Sequence, residues 1–368
     1  MTPEARTVSF SFGHVARPLA RSLALSAAVI VPALALAPAA MAQTITPTVV
    51  NTIPVNTTTF GATLSPDGKS VWVANYANTT SPGQVSIIDV ATQTVGTSIL
   101  VGEGPAEITF GPFQVFVTNL YDSTLSEIDP TTLTTKLTVD LGGVPLQFPF
   151  GVAYDRGAVL VTTQGDEGSV PQLTTPTLAT KFTFSIPGQT GIPAATSSTS
   201  AFYPKRFVVP VFVTTNGGAS GFPQLDIVDP DHFKIEATIA LPSSGASPTQ
   251  VVISPGGEFA FVSLFDSSGG NGGVWIVNLK TLTTDRVVET GDTANYGEAL
   301  SPDGDYLLVA GFLQNQLALI DTHKKIVDNI IATGDFPNGI AITQDGSEAF
   351  FTNQGDGTVG VVTFSPSL

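Results

Sequence analysis

Residues 301–331 read SPDGDYLLVAGFLQNQLALIDTHKKIVDNII, and this stretch carries the strand order of one small antiparallel sheet. Ser301-Pro302-Asp303-Gly304 is hairpin chemistry, because Pro presets the backbone at the second turn position and Gly accepts a positive φ. Leu307-Leu308-Val309-Ala310 follows, an apolar run without alternation, which predicts a strand covered on both faces. A polar loop and an alternating strand lead to Ile320-Asp321, where an Asp ahead of a Thr-bearing turn accepts hydrogen bonds from turn amides. Ile326-Val327-Asp328-Asn329-Ile330-Ile331 completes the unit as a further strand, and the link Gly334 to Pro337 opens the next one.

The same order recurs along the chain. The first turn returns as Ser65-Pro66-Asp67-Gly68, Ser254-Pro255-Gly256-Gly257 and Thr343-Gln344-Asp345-Gly346, with remnants at Phe110-Gly111-Pro112 and Tyr154-Asp155-Arg156-Gly157. The apolar strand returns as Val71-Trp72-Val73-Ala74, Val115-Phe116-Val117, Val159-Leu160-Val161, Phe259-Ala260-Phe261-Val262 and Ala349-Phe350-Phe351, and the Asp or Asn position falls at 89, 129, 229, 278 and 321. Gly/Pro-containing links precede seven such units, at Pro54, Gly102, Gly142, Pro187, Pro242, Gly291 and Gly334. A period of roughly 40 to 55 residues with four strands per unit is that of a propeller blade. The reading is therefore an all-β, seven-bladed β-propeller of four-stranded antiparallel blades. The seventh unit, Gly339 to Phe364, holds only three strands, and residues 45–56 resemble the fourth strand of other units, so the N-terminal strand is expected to close the last blade and remove the exposed sheet edges. Unit four departs most, with Pro210 inside its apolar run.

The strings Ser-Pro-Asp-Gly, then Val73-Ala74-Asn75, Val117-Thr118-Asn119 and Phe351-Thr352-Asn353, then Ile-Asp-x-x-Thr, resemble the exported bacterial propellers of YncE type, whose YVTN repeats are named for a Tyr-Val-Thr-Asn string. The likeness covers essentially all of the chain after residue 42. It implies the seven-bladed fold and export, and for function no more than a binding scaffold, since the family's members are mostly of binding or unassigned function.

Arg6, Arg17 and Arg21 precede the apolar stretch Leu23 to Leu36, and Ala40-Met41-Ala42 has the small-x-small form of a cleavage site. Residues 1–42 are accordingly expected to be a secretory signal peptide, leaving residues 43–368 as one propeller domain, periplasmic or extracellular, without membrane insertion and monomeric. Without residues 1–42, which hold those three arginines and Glu4, eleven basic and twenty-nine acidic side chains remain, a net charge of about −18. That surface repels nucleic acid and anionic lipid, and keeps the protein soluble or attracts cations. The absence of cysteine excludes a thiol nucleophile, Cys-ligated metals and covalent c-type haem.

Strand parity places the inter-unit links and the loops between second and third strands on one face, and the Ser-Pro-Asp-Gly and Asp-x-x-Thr turns on the other. The long loops Asn75 to Gln84, Asn216 to Gln224 and Phe265 to Gly273 all fall on the first, which we call the loop face; binding residues favour loops on a rigid scaffold. Polar residues near the starts of the first strands would line the channel mouth: Glu107, Gln250, Glu298 and Asn338, with Tyr296 and Phe150 beside them. These groups suit a polar ligand, a divalent cation such as calcium held by Glu107 and Glu298, or only a water-filled channel. Propeller lactonases of the gluconolactonase-like kind place acidic and amide residues around a channel metal, so a metal-dependent, lactonase-like hydrolase is the alternative to a scaffold that binds protein, peptide or polymer. No residue is assigned a catalytic role. His232 and His323 lie in turns of the repeat face, away from a channel reaction.

Overall fold

The computed structural model describes residues 45–55, 58–76, 82–141, 148–164, 169–185, 189–190, 192–195, 205–212, 223–241, 246–266, 269–270 and 272–368. The chain divides into two units, Met1–Gln43 and Thr44–Leu368. The signal-peptide reading and parts of the three long loops, residues 77–81, 216–222, 267–268 and 271, lie outside the described residues. No described helix is long and apolar enough to cross a membrane.

The second unit consists of seven antiparallel sheets, one per repeat. Blades one, two, three, five and six occupy residues 59–100, 105–140, 149–185, 247–288 and 295–332, each with four strands in sequence order. In blade seven the strands Pro337–Ile342, Glu348–Asn353 and Thr358–Ser365 are joined by the N-terminal strand Thr46–Pro54, which pairs antiparallel with Thr358–Ser365 from Thr46↔Ser365 to Pro54↔Thr358. In blade four the innermost strand is split into Gln189–Thr190 and Ala194–Ala195, which pair with the two ends of Phe207–Phe212. Pro210 falls between the stretches of Phe207–Phe212 that pair with those two pieces, opposite Leu225 of the next strand.

Burial follows the pattern of the sequence. The second strands are buried almost throughout, as in Val115–Asn119 and Tyr306–Gly311, while the fourth strands alternate or face solvent, as in Thr94–Leu100 and Thr134–Asp140. Seven apolar clusters each lie between two neighbouring blades; the one joining blades seven and one contains Ile53, Val71, Val73, Phe350 and Val361. Stacking between neighbours is what covers both faces of each central strand.

The recurrent polar residues fix the turns. Asp89 Oδ1 accepts the amide and hydroxyl of Thr92, and Asp129, Asp229, Asn278 and Asp321 each accept two amides of the turn that follows at 2.7–3.1 Å. Those amide donors hold the carboxyls of Asp89 and Asp129 below the usual carboxylate range. At the other turn Ser65, Ser301 and Thr343 donate to Asp67, Asp303 and Asp345 at 2.7 Å, and Gly68, Gly304 and Gly346 adopt positive φ. His232 contacts Asp229 and His323 contacts Asp305, both at 2.8 Å on this repeat face.

Candidate functional site at the channel mouth

The channel is built by the first strands, and each regular one carries an extra residue near its start. In blade one the pairing steps from Thr59↔Asn75 to Ala62↔Val73, and the same step recurs at 105/108, 149/152, 248/251, 295/298 and 337/340. This bulge turns one side chain toward the loop-face mouth and brings the next backbone unit against the adjacent blade. The first bulge residues are Phe60, Ala106, Phe150, Thr249, Tyr296 and Asn338. The second is Gly at 61, 151, 297 and 339, where a Cβ would run into the neighbouring blade, as Gly297 against the Asn338 carbonyl and Gly339 against Phe60 and Ala62.

Thr hydroxyls in the second strands tie the ring together at this level. Thr118 accepts from the Glu107 amide at 3.1 Å and donates to the Phe150 carbonyl of blade three at 2.9 Å. Thr352 accepts from Gly339 at 2.8 Å and donates to the Phe60 carbonyl of blade one at 2.7 Å. The Asn that ends the second strand, after Thr in blades two and seven and after Ala74 in blade one, donates within its own blade: Asn75 to Ser86, Asn119 to Thr124 and Ser126, Asn353 to Thr358. The Thr-Asn string is thus a fastening of the blade top, which is why it marks architecture.

A cavity of about 250 Å³ opens at the mouth, lined by Phe60, Tyr76, Phe150, Tyr296 and Phe312, with Leu120 and the amides of Gln164, Asn338 and Gln354. The rings form two arcs. Tyr121, Tyr76, Phe60 and Phe150 run in succession with centroids 5.0–5.8 Å apart, and Phe265, Tyr296, Phe312 and Phe336 run with centroids 4.8–5.7 Å apart. Burial raises the Tyr296 phenol, and burial followed by the nearby Tyr121 raises that of Tyr76, so both hydroxyls stay protonated over the neutral range.

Of the residues singled out from sequence, Tyr296, Asn338 and Phe150 meet in this cavity. Gln250 sits deeper and bridges blades five and six, its Nε2 donating to the Glu298 carbonyl at 3.3 Å and its Oε1 accepting the Glu298 amide at 3.1 Å. Glu107 is half-buried, its carboxyl against Gly61 of blade one, and desolvation pushes it up to about 8. Glu298 does not line the mouth. The bulge turns it into the core between blades five and six, at the position held elsewhere by Ala62, Ile108, Val152, Val251 and Ile340. It is 2% exposed, neither carboxylate oxygen has a hydrogen-bond partner, and burial raises its pKa well above the usual value; Ser263 and the Val252 amide lie near enough only to offset part of that. Glu107 and Glu298 are therefore not brought together, and among the described residues no three His, Asp or Glu side chains converge as a metal site would require.

Phe60, Tyr76, Leu120, Gln164, Phe312 and Gln354 were not reached from sequence. Their signal is positional: an aromatic immediately before the bulge Gly, as in Phe60-Gly61, or a residue just beyond the end of a second strand, as in Asn75-Tyr76 and Gly311-Phe312.

The charges of the chain are sorted by face. No Lys or Arg occurs in any segment joining a second strand to a third or one blade to the next. Lys69, Arg156, Lys205, Arg206, Lys234, Lys280, Lys324 and Lys325 stand in or beside turns of the repeat face, and Lys136, Lys181 and Arg286 in fourth strands. The loop face carries Glu103, Asp122, Glu289, Asp292, Asp335 and Asp356. Several of these pin links to loops: Asp122 accepts the Glu103 amide at 2.9 Å, Asp292 the amides of Ala294 and Gln314 at 2.7–2.8 Å, and Asp356 the Asp335 amide at 2.8 Å.

No protein-family model matches the chain, and no curated protein matches it in sequence. Among solved structures the fold is similar to a chain of Kuenenia stuttgartiensis hydrazine synthase, with a TM-score of 0.64 and 17% identity, covering 83% of this chain and 95% of that one. At that identity the likeness speaks for the propeller alone.

Proposed function

We propose that the chain is an exported, YncE-like propeller that acts as a binding scaffold, periplasmic or extracellular, taking a protein, peptide or polymer ligand on its loop face with the channel mouth as anchor point. The observation that carries this reading is the mouth itself: two aromatic arcs, partly open to solvent and backed by three amides, mounted on a ring locked by inter-blade hydrogen bonds. Aromatic anchors in a preformed recess are what binding surfaces concentrate. The leader-like residues 1–42 and the solubilising charge of the remainder support export.

Panning a displayed peptide library on the full chain tests this. Peptides should be enriched whose binding is lost in the double variant Tyr76→Ala/Phe312→Ala. A library that yields nothing, or only binders indifferent to those two rings, removes the reading.

A further inference from the structure

The identity of the ligand is narrowed by the sorting of charge between the two faces. We infer that the mouth receives a cationic peptide segment, with one Lys or Arg side chain seated between the two aromatic arcs; this rests on the binding reading above. Three independent features converge on it. The rings of Phe60, Tyr76, Phe150, Tyr296 and Phe312 line one cavity of about 250 Å³, and their tilted and edge-on packing leaves them at differing angles to it; the volume suits a long side chain and its water rather than a folded element. Aromatic faces are the negative pole of the ring quadrupole and attract ammonium and guanidinium groups, Arg most often. The polar groups among them are phenols and carboxamides, whose oxygens can accept the N–H donors of such a group, and among the described residues of the loop face there is no Lys or Arg to compete for them.

Around the mouth the links carry carboxylates without a compensating Lys or Arg, whereas eight of the eleven cations after residue 42 stand at the repeat face, some in pairs such as Arg206 with Asp229 and Lys324 with Asp321. The segregation gives the molecule a field that draws a basic segment to the loop face and turns an anionic one away. Flanking basic residues of the peptide would meet Glu103 and Glu289, while the side chain in the mouth supplies the desolvated contact. Acidity alone does not make this site: the repeat face also has an acidic groove, of about 420 Å³ with Asp67, Asp345 and Glu348, but no aromatic residue lines it.

The difference between those two surfaces provides the test. Fluorescein-labelled 12-residue peptides carrying four Lys, four Glu or only Ser in a Gly/Ser background are titrated by anisotropy against the full chain at 50 and 500 mM NaCl. The Lys peptide should bind best and weaken at high salt. Phe312→Leu, which keeps apolar bulk but removes the ring, and Tyr296→Ala should each weaken it tenfold or more, with Tyr296→Phe, which keeps the ring and loses only the hydroxyl, weakened less than Tyr296→Ala. Glu103→Gln/Glu289→Gln should weaken it and flatten the salt dependence, whereas Asp67→Asn/Glu348→Gln in the repeat-face groove should leave it unchanged. Circular dichroism and melting temperature identify variants that keep the fold, and two ring variants guard against the loss of either. Binding equal in both folded ring variants overturns the inference, since charge alone would then be the cause. If panning selects ring-dependent peptides that are neutral or acidic, the cationic ligand is wrong and the binding reading stands; if no peptide of any charge depends on the rings, both fall.

Discussion

Replacing Glu298 by Val should make the protein more stable, and increasingly so as pH rises. Its carboxyl occupies a position that other blades fill with Ala, Ile or Val, and both oxygens are buried without partners. An unpaired buried polar group costs about 1–3 kcal/mol, which is the gain expected near pH 4, where the acid is mostly neutral in both folded and unfolded chains. Above the unfolded value the folded chain still holds the proton while the unfolded chain releases it. Stability therefore falls as pH rises, by about 1.4 kcal/mol per unit until the folded pKa is passed. The Val variant lacks this term, so the difference between the two proteins should widen by that slope from about pH 5 upward. With an unfolding entropy near 0.7 kcal/mol/K for a domain of this length, each pH unit adds about 2 °C to the difference in melting temperature. Calorimetric melts of both proteins from pH 4 to 8 measure it, and Glu107, which titrates in both, cancels. Parallel melting profiles, or a Val variant that melts lower at pH 7, would refute the placement of Glu298 in the core. Glu298→Gln should remove the slope while keeping the penalty of an unpaired polar group.

Glu107, half-buried beside Gly61, should titrate with a midpoint near 8 in carbon-detected NMR of the carboxyl, and Glu107→Gln should abolish the fall in stability between about pH 4.5 and 8 that its raised pKa produces; an ordinary carboxylate midpoint would count against the desolvated channel. Thr352→Ala removes the hydroxyl that joins the Gly339 amide to the Phe60 carbonyl, leaving both groups unpaired at the junction of blades seven and one. Denaturant titration should show a loss of about 1–3 kcal/mol, with Thr352→Ser near wild type.

What the sequence disclosed was set by periodicity. Hairpin strings such as Ser301-Pro302-Asp303-Gly304 and turn caps such as Asp321 act within a few residues of themselves, so their spacing alone revealed seven blades, four strands each, and the role of Thr46–Pro54 in the last. Blade four was harder because its inner strand is broken, and Pro210 marked that break without explaining it. The mouth was legible only in part. Alternation along a strand would turn Glu298 toward the channel, but the bulge inserts a residue and reverses that parity, so Tyr296 faces the mouth and Glu298 the core. Tyr76 and Phe312 escaped notice because each lies one residue beyond a strand end, and their meeting with Phe60 and Tyr296 depends on ring closure, which no local pattern encodes.

The pairing of Thr46–Pro54 with Thr358–Ser365 has a consequence for folding time. Six blades gather strands from within a few tens of residues, but the seventh joins segments as far apart as Thr48 and Thr363, a separation of 315 residues. Closing the longer loop adds roughly 2 kcal/mol of chain entropy over a local blade, at about 0.6 kcal/mol per doubling, which the core shared by Ile53, Phe350 and Val361 readily offsets. The burden is kinetic: the first strand made waits for the last, and the intervening blades form an open arc with two bare ends. Joining the present ends and reopening the chain at another inter-blade link would move that waiting step around the ring and leave the stability of the closed ring nearly unchanged.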